Sequence, residues 1–179
     1  KKLNLSYMIL GEDACIGRDR EGSAQKITSY LQSIEKKVEL ISFVKSNDIK
    51  IGTSKIRDCI QEGKLDETEK LLGRKYSVVG RVVKGDQRGR TIGYPTANVL
   101  IKNNVLPPFG VYATFAYLDG KKYPSISNCG IRPTIGKGGI ALETNLFAEF
   151  KDEFYNKKLE VEFIKKIRDE KKFSSLEEL

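Results

Sequence analysis

Residues 110–130 read GVYATFAYLDGKKYPSISNCG. Both sides of Asp119-Gly120 are rich in β-branched and aromatic residues, and Asp-Gly tolerates the two left-handed conformations that a tight hairpin turn requires. The stretch is expected to be two antiparallel strands joined by a two-residue turn. Further strand signals flank it: YSVVGRVVK at 76–84, ALETNLFAEF at 141–150 and LEVEFIKKI at 159–167. Counting the strand that begins at Pro95-Thr96-Ala97-Asn98, about six short strands are expected. In FSSLEEL (173–179) Ser175 and Glu178 stand at capping-box spacing, which predicts a terminal helix. With no internal repeat, the pattern over 74–179 predicts a small six-stranded antiparallel β-barrel with a C-terminal helix.

The preceding residues read differently. LSYMIL (5–10) is an expected strand that opens into the loop GEDACIGRDREG (11–22). SAQKITSYLQSIEKK (23–37) spaces Ile27, Tyr30, Leu31 and Ile34 at helical intervals, with Ser23 placed as N-cap. VELISFVKS (38–46) is a second apolar strand. From Thr53 the pattern is helical again, through Ile56 and Ile60 to a stop at Gly63, and Asp66 with Glu69 gives capping-box spacing before KLLG (70–73). The order β-α-β-α-α reads as a fragment of a parallel α/β sheet, so the chain is expected to be α+β overall, with domains at 1–73 and 74–179.

Composition bounds the chemistry. With 179 residues, 39% of them hydrophobic, the chain can build a core without staples. Cys15, Cys59 and Cys129 are widely spaced and form no CxxC pair, which suggests neither a disulfide framework nor a zinc site. The absence of histidine removes a Ser/His/Asp triad, a His-metal cluster and an imidazole base. A general base must then be a carboxylate, Lys, Tyr or Cys. No apolar run approaches the ~20 residues of a membrane span, so a cytoplasmic protein with no membrane partner is expected. The net charge of +8 favours anionic ligands without choosing among them.

The run KGDQRGRTIGYPTAN (84–98) sets Gly85, Gly89 and Gly93 four residues apart, with Arg88 and Arg90 between them. It is neither GxxxxGK[ST] nor a GxGxxG between strand and helix. Glycines let main-chain N–H groups approach phosphate oxygens, and Thr96 and Asn98 offer neutral oxygens that suit a hard cation such as Mg²⁺. A glycine-rich barrel loop with solvated arginines is the other reading of the same residues.

GDQRGRTIGYPTAN closely resembles the riboflavin kinase signature. SNCGIRPTIG (127–136) is similar to the second Pro-Thr loop of that family, and LETNLFAEFKDEFYNKKLEVEFIKKIRDEKKFSSLEEL (142–179) to its C-terminal segment, with a Glu before a Thr and an Arg-x-Glu-x-x-Phe tail. The resemblance covers 74–179 almost without interruption. GEDACIGRDREG and IGTSKIRDCI (51–60) resemble later motifs of the FMN adenylyltransferase module that precedes the kinase in bacterial bifunctional FAD synthetases. There the second motif usually reads ISSTxIR, and Gly52, Thr53, Ser54 and Arg57 hold the matching places. The HxGH motif of that module has no counterpart in a chain without histidine. In the kinase part, Asn145 stands where a histidine often follows Glu-Thr, and Asn156 where a glycine follows the tyrosine.

The resemblance implies transfer of the ATP γ-phosphate to the 5'-hydroxyl of riboflavin, giving FMN and ADP, with Mg²⁺. It implies that Gly85, Gly89, Arg90, Gly93 and Pro95 belong to the phosphate loop, that Thr96 and Asn98 hold Mg²⁺ and orient the nucleotide, and that Glu143 is the general base. It also implies flavin contacts from Arg168 and Phe173, and nucleotide contacts from Thr53, Ser54 and Arg57 in the first module. By alternation alone, Glu143 in ALETNLF would be an outward, solvated residue. A basic barrel binding single-stranded nucleic acid, or a nucleotide-binding barrel without catalysis, are the competing classes. The lysines argue against the first, being scattered beside glutamates rather than interleaved with aromatics, so small-molecule partners and no nucleic acid are expected.

Overall fold

The computed structural model describes residues 5–46, 49–84, 96–101, 104–131, 140–148, 150 and 155–171. Gly85, Gly89, Arg90, Gly93, Pro95 and Phe173 lie outside the described residues, as do most of the second Pro-Thr loop and the expected terminal helix. The chain divides into two compact units, Lys1–Gly52 and Thr53–Leu179.

In the first unit, β1 (Tyr7–Gly11) pairs in parallel with β4 (Lys37–Ile41), and α1 (Ala24–Ser33) lies between them in sequence. The small antiparallel pairs β2 (Cys15–Ile16) with β3 (Gly22–Ser23), and β5 (Lys45–Ser46) with β6 (Ile49–Lys50), complete it. Ser23 caps α1 as expected, its side chain accepting from the Lys26 N–H at 3.4 Å. The helix is shorter than its apolar spacing suggests. After Ile34 the chain turns left-handed at Glu35 (φ 57°), and the N–H groups of Glu35 and Lys36 bond the carbonyls of Gln32 and Leu31. That is a Schellman closure with a glutamate where glycine is usual. The expected strand 38–46 is also interrupted: the Glu12 carboxylate accepts from the Phe43 N–H at 2.9 Å, taking a donor that a continuing ladder would use.

The second unit opens with α2 (Thr53–Gln61) and α3 (Leu65–Leu72), ended by left-handed Gly63 and Gly73. The capping box expected at Asp66 does not form. Lys64 is the N-cap, without a side-chain hydrogen bond, and Asp66 and Glu67 lie inside the first turn. There their charge suits the positive end of the helix dipole.

Six strands then close into an antiparallel barrel: β7 (Ser77–Val83), β8 (Thr96–Leu100), β9 (Gly110–Leu118), β10 (Lys121–Ile131), β11 (Ile140–Leu146) and β12 (Lys158–Arg168). Their order around the barrel is β10-β11-β8-β7-β12-β9. The β9–β10 hairpin turns at Asp119 (φ 50°) and Gly120 (φ 78°), both left-handed as the dipeptide predicts. Gly80 is required where β8 crosses close to β7, since a Cβ there would clash with the Leu100 carbonyl oxygen.

Alternation assigns one face of each strand to the interior. Val78, Val82, Ala97, Val99, Tyr112, Ala116, Leu118, Cys129, Leu142, Leu146, Leu159, Val161 and Phe163 form one core, with Tyr112 edge-on to Phe163 at 5.2 Å. Burial pushes the Tyr112 phenol up to about 12 and the Cys129 thiol up to about 11. One polar line crosses this interior. Ser125, Thr114, Ser127 and Thr144 are linked through their hydroxyls at 2.8, 2.9 and 2.9 Å, so each of these four hydroxyls has a partner.

Candidate active site

Since the even positions 142, 144 and 146 of β11 point inward, Glu143 and Asn145 belong to the outer face of the barrel. The same logic puts Thr96 and Asn98 of β8 outside, because Ala97 and Val99 are core. Register brings these side chains together: Asn98 lies opposite Glu143, and Thr96 opposite Asn145. On the other side of Glu143, Asn128 of β10 is its partner, and Ser127 and Cys129 point inward beside it. The result is a polar patch on the outside of a barrel whose inside is closed.

The patch is not an ordinary solvated surface. Asn98 is only 9% exposed and Asn145 only 8%, whereas Thr96 is open and Glu143 half-buried. Buried amides outside a core are held there by covering structure or by use, because an amide gains little from leaving water. The patch offers a carboxylate flanked by two amides, with a hydroxyl two residues along the same strand from one of them. Chemically that combines a proton acceptor with neutral oxygen ligands.

Residues 72–179 match the profile of the family described as flavokinase, riboflavin kinase. The chain belongs to the riboflavin kinase family. A bifunctional riboflavin kinase/FMN adenylyltransferase from Buchnera aphidicola subsp. Schizaphis graminum is 40% identical over 183 residues, covering 99% of this chain and 58% of that protein. The protein of the same description from Escherichia coli K12 is 34% identical over 180 residues, covering 100% and 57%. The chain thus spans rather more than half the length of these relatives. A crystal structure named as a macrolide-efflux protein from Streptococcus pneumoniae superposes with a TM-score of 0.76 at 32% identity, over 93% of this chain and 54% of that one. Among the described residues of this riboflavin kinase family member, no helix is long and apolar enough to cross a membrane.

The other residues singled out by the family resemblance are not all brought to this patch. Arg168 shares the row but not the neighbourhood: it stands opposite Val111, which stands opposite Asn128, which stands opposite Glu143. At ~4.8 Å per strand it is three strand spacings, roughly 14 Å, from the carboxylate. Its guanidinium donates to the Asp169 carbonyl at 3.0 Å. Thr53, Ser54 and Arg57 lie together on the first turns of α2, all exposed. Asn128 was not singled out from the sequence. Its signal was there: in SISNCG it occupies the outward position of a strand whose inward positions are Ser127 and Cys129, a site where an exposed polar residue attracts no notice.

Proposed function

We propose that the barrel transfers the γ-phosphate of ATP to the 5'-hydroxyl of riboflavin, with Glu143 taking the proton of the attacking hydroxyl. What supports this best is the register that sets Asn98, Glu143 and Asn128 side by side on three neighbouring strands, in a chain of the riboflavin kinase family. Phosphoryl transfer asks for positioning and charge neutralisation more than covalent help. Glu143 is half-buried and stands in register between two amides on the outer face of the barrel. A carboxylate is also one of the few kinds of base open to a chain without histidine.

Thr96 and Asn98 fit Mg²⁺ because both present neutral oxygens on one face of β8, two residues apart. When bound there, Mg²⁺ supplies neutralisation of phosphate charge. The residues themselves orient the nucleotide end against Glu143. Gly85, Gly89, Arg90, Gly93 and Pro95, directly before β8, are assigned to cover the phosphates, and Arg168 and Phe173 to the flavin ring. Residues 1–73 are assigned to an FMN adenylyltransferase-like α/β module, supported by the parallel β1–β4 pair around α1 and by the bifunctional relatives. Thr53, Ser54 and Arg57 at the start of α2 would meet nucleotide phosphate there. Without the histidine motif of that module, this chain is expected not to make FAD.

The test is product analysis. Purified protein incubated with riboflavin, ATP and Mg²⁺ should give FMN and ADP in equal amounts. Folded protein that forms no FMN with any divalent metal contradicts the proposal. FAD formed from FMN and ATP contradicts the expectation for residues 1–73.

A further inference from the structure

Asn145 is a buried amide on the outside of the barrel, 8% exposed, and neither the proposed base nor the proposed metal ligands include it. Burying an amide on the outward face of a strand is costly unless its hydrogen-bonding groups are used, so the position calls for a physical reason. Two residues stand in register with it. On β10 the neighbour is Ile126, which offers only hydrocarbon; on β8 it is Thr96, whose side chain is exposed and is the proposed hydroxyl ligand of Mg²⁺. Two residues back along β11 stands Glu143, assigned to the attacking hydroxyl. The polar group directly across from the amide is therefore the Thr96 hydroxyl.

A threonine hydroxyl has one proton and two lone pairs. When a lone pair goes to a cation, the proton points away from the metal and needs an acceptor, and metal ligands are ordinarily fixed in orientation by such an outer partner. Side chains in register across antiparallel strands have Cβ atoms ~4.5–5.5 Å apart, close enough for an amide oxygen to accept from a threonine hydroxyl. Asparagine meets the need whichever way its amide is turned, because a half-turn about a soft χ2 exchanges Nδ2 for Oδ1. We infer that Asn145 is a positioning residue of the metal site: its Oδ1 accepts the hydrogen bond of the Thr96 hydroxyl and so turns a lone pair of Oγ1 toward the Mg²⁺ of the nucleotide. It acts through Thr96 and touches neither metal nor substrate. The inference rests on the assignment of Thr96 to Mg²⁺ and adds the group that orients it.

The test compares Asn145→Leu, which keeps the volume and loses the acceptor, with Asn145→Asp, which keeps the size and the acceptor oxygens. ADP affinity is measured by calorimetry with Mg²⁺ and with EDTA, and the ratio of the two is the readout, with the melting temperature as folding control. Asn145→Leu is expected to lower that ratio by about tenfold, the size of a lost outer partner of a metal ligand, and to leave ADP binding in EDTA unchanged. Asn145→Asp should keep the ratio within a few fold of wild type. In a Thr96→Ala background Asn145→Leu should have no further effect, because the group it orients is gone. If the leucine variant fails to fold, Asn145→Ala removes the acceptor without adding branched bulk and gives the same comparison. An unchanged ratio in Asn145→Leu overturns the inference, as does an equal loss with Mg²⁺ and with EDTA, which reports packing, or a loss that persists in full without the Thr96 hydroxyl. Thr96→Ala alone separates the two levels: if it lowers the ratio while Asn145→Leu does not, the metal assignment stands and only the inference falls, and if it binds Mg-ADP normally both fall. FMN formation by wild type tests the kinase reading by itself.

Discussion

The two units of this chain treat their sheets in opposite ways. In Thr53–Leu179 each of the six strands has two neighbours, so the sheet has no edge, and one face is packed inside. In Lys1–Gly52 the parallel pair β1–β4 has one ladder only, and Leu10, Ala24 and Leu31 are its buried apolar residues among those described. Tyr7, Ile9, Leu40 and Ile41 on those two strands, with Tyr30 and Ile34 on and beside α1, remain exposed. Parallel strands ordinarily have both faces covered. Closure, more than apolar content, separates the halves: the same kinds of side chain are core in one and surface in the other. Closure also explains why the candidate site can lie outside the barrel, since the packed interior holds Glu143, Asn98 and Asn128 in place from behind.

The contrast can be broken by substitution. Phe163→Ala removes a side chain that is 2% exposed and packs on both Tyr76 and Tyr112, and should cost about 3–5 kcal/mol in chemical denaturation. Ile9→Ala, at a residue 55% exposed, should stay within about 0.5 kcal/mol. Comparable losses at both positions would mean that the first unit has a core of its own. Outside the barrel, Thr96→Ala should weaken Mg-ADP binding by at least about tenfold in calorimetry while leaving the melting temperature in place. Normal Mg-ADP affinity would make Thr96 a structural strand entry.

Thiol reactivity sharpens the contrast without altering the fold. Cys15 is exposed in the first unit, whereas Cys59 and Cys129 are buried in the second, each thiol pushed up by burial. A thiol reagent at neutral pH should modify Cys15 rapidly and the other two only after denaturation. A modest effect is expected inside the barrel. Replacing Ser127 by Ala and Thr144 by Val together removes both ends of one buried 2.9 Å contact, and should change stability by less than about 1.5 kcal/mol because Thr114 keeps Ser125 as its partner. A larger loss would mean that the hydroxyl line holds the register of β10 and β11.

The sequence showed the local features and hid the distant ones. Asp119-Gly120 declared its turn because a two-residue hairpin depends only on its own backbone, and Ser23 declared its cap for the same reason. The insertion of β12 between β7 and β9 could not be read, since that pairing joins residues far apart in the chain. Asp66 misled because capping-box spacing recurs by chance wherever acidic residues open a helix. Alternation described Glu143 correctly as outward but gave it no significance; family resemblance singled it out. Asn128 joins the patch only when β10 and β11 are set in register.

Glu143 carries the proposed chemistry, so the most direct measurement is single-turnover formation of FMN by wild type and by Glu143→Gln, with nucleotide affinity and melting followed on the same samples. Glutamine keeps the size and the hydrogen-bonding shape but loses the basic oxygen. The rate should fall by about 100-fold or more, with Mg-ADP affinity within a few fold and the melting temperature unchanged. A Glu143→Gln protein that makes FMN at the wild-type rate would show the carboxylate to be a surface residue of the barrel, and the proposed chemistry of the patch would be wrong.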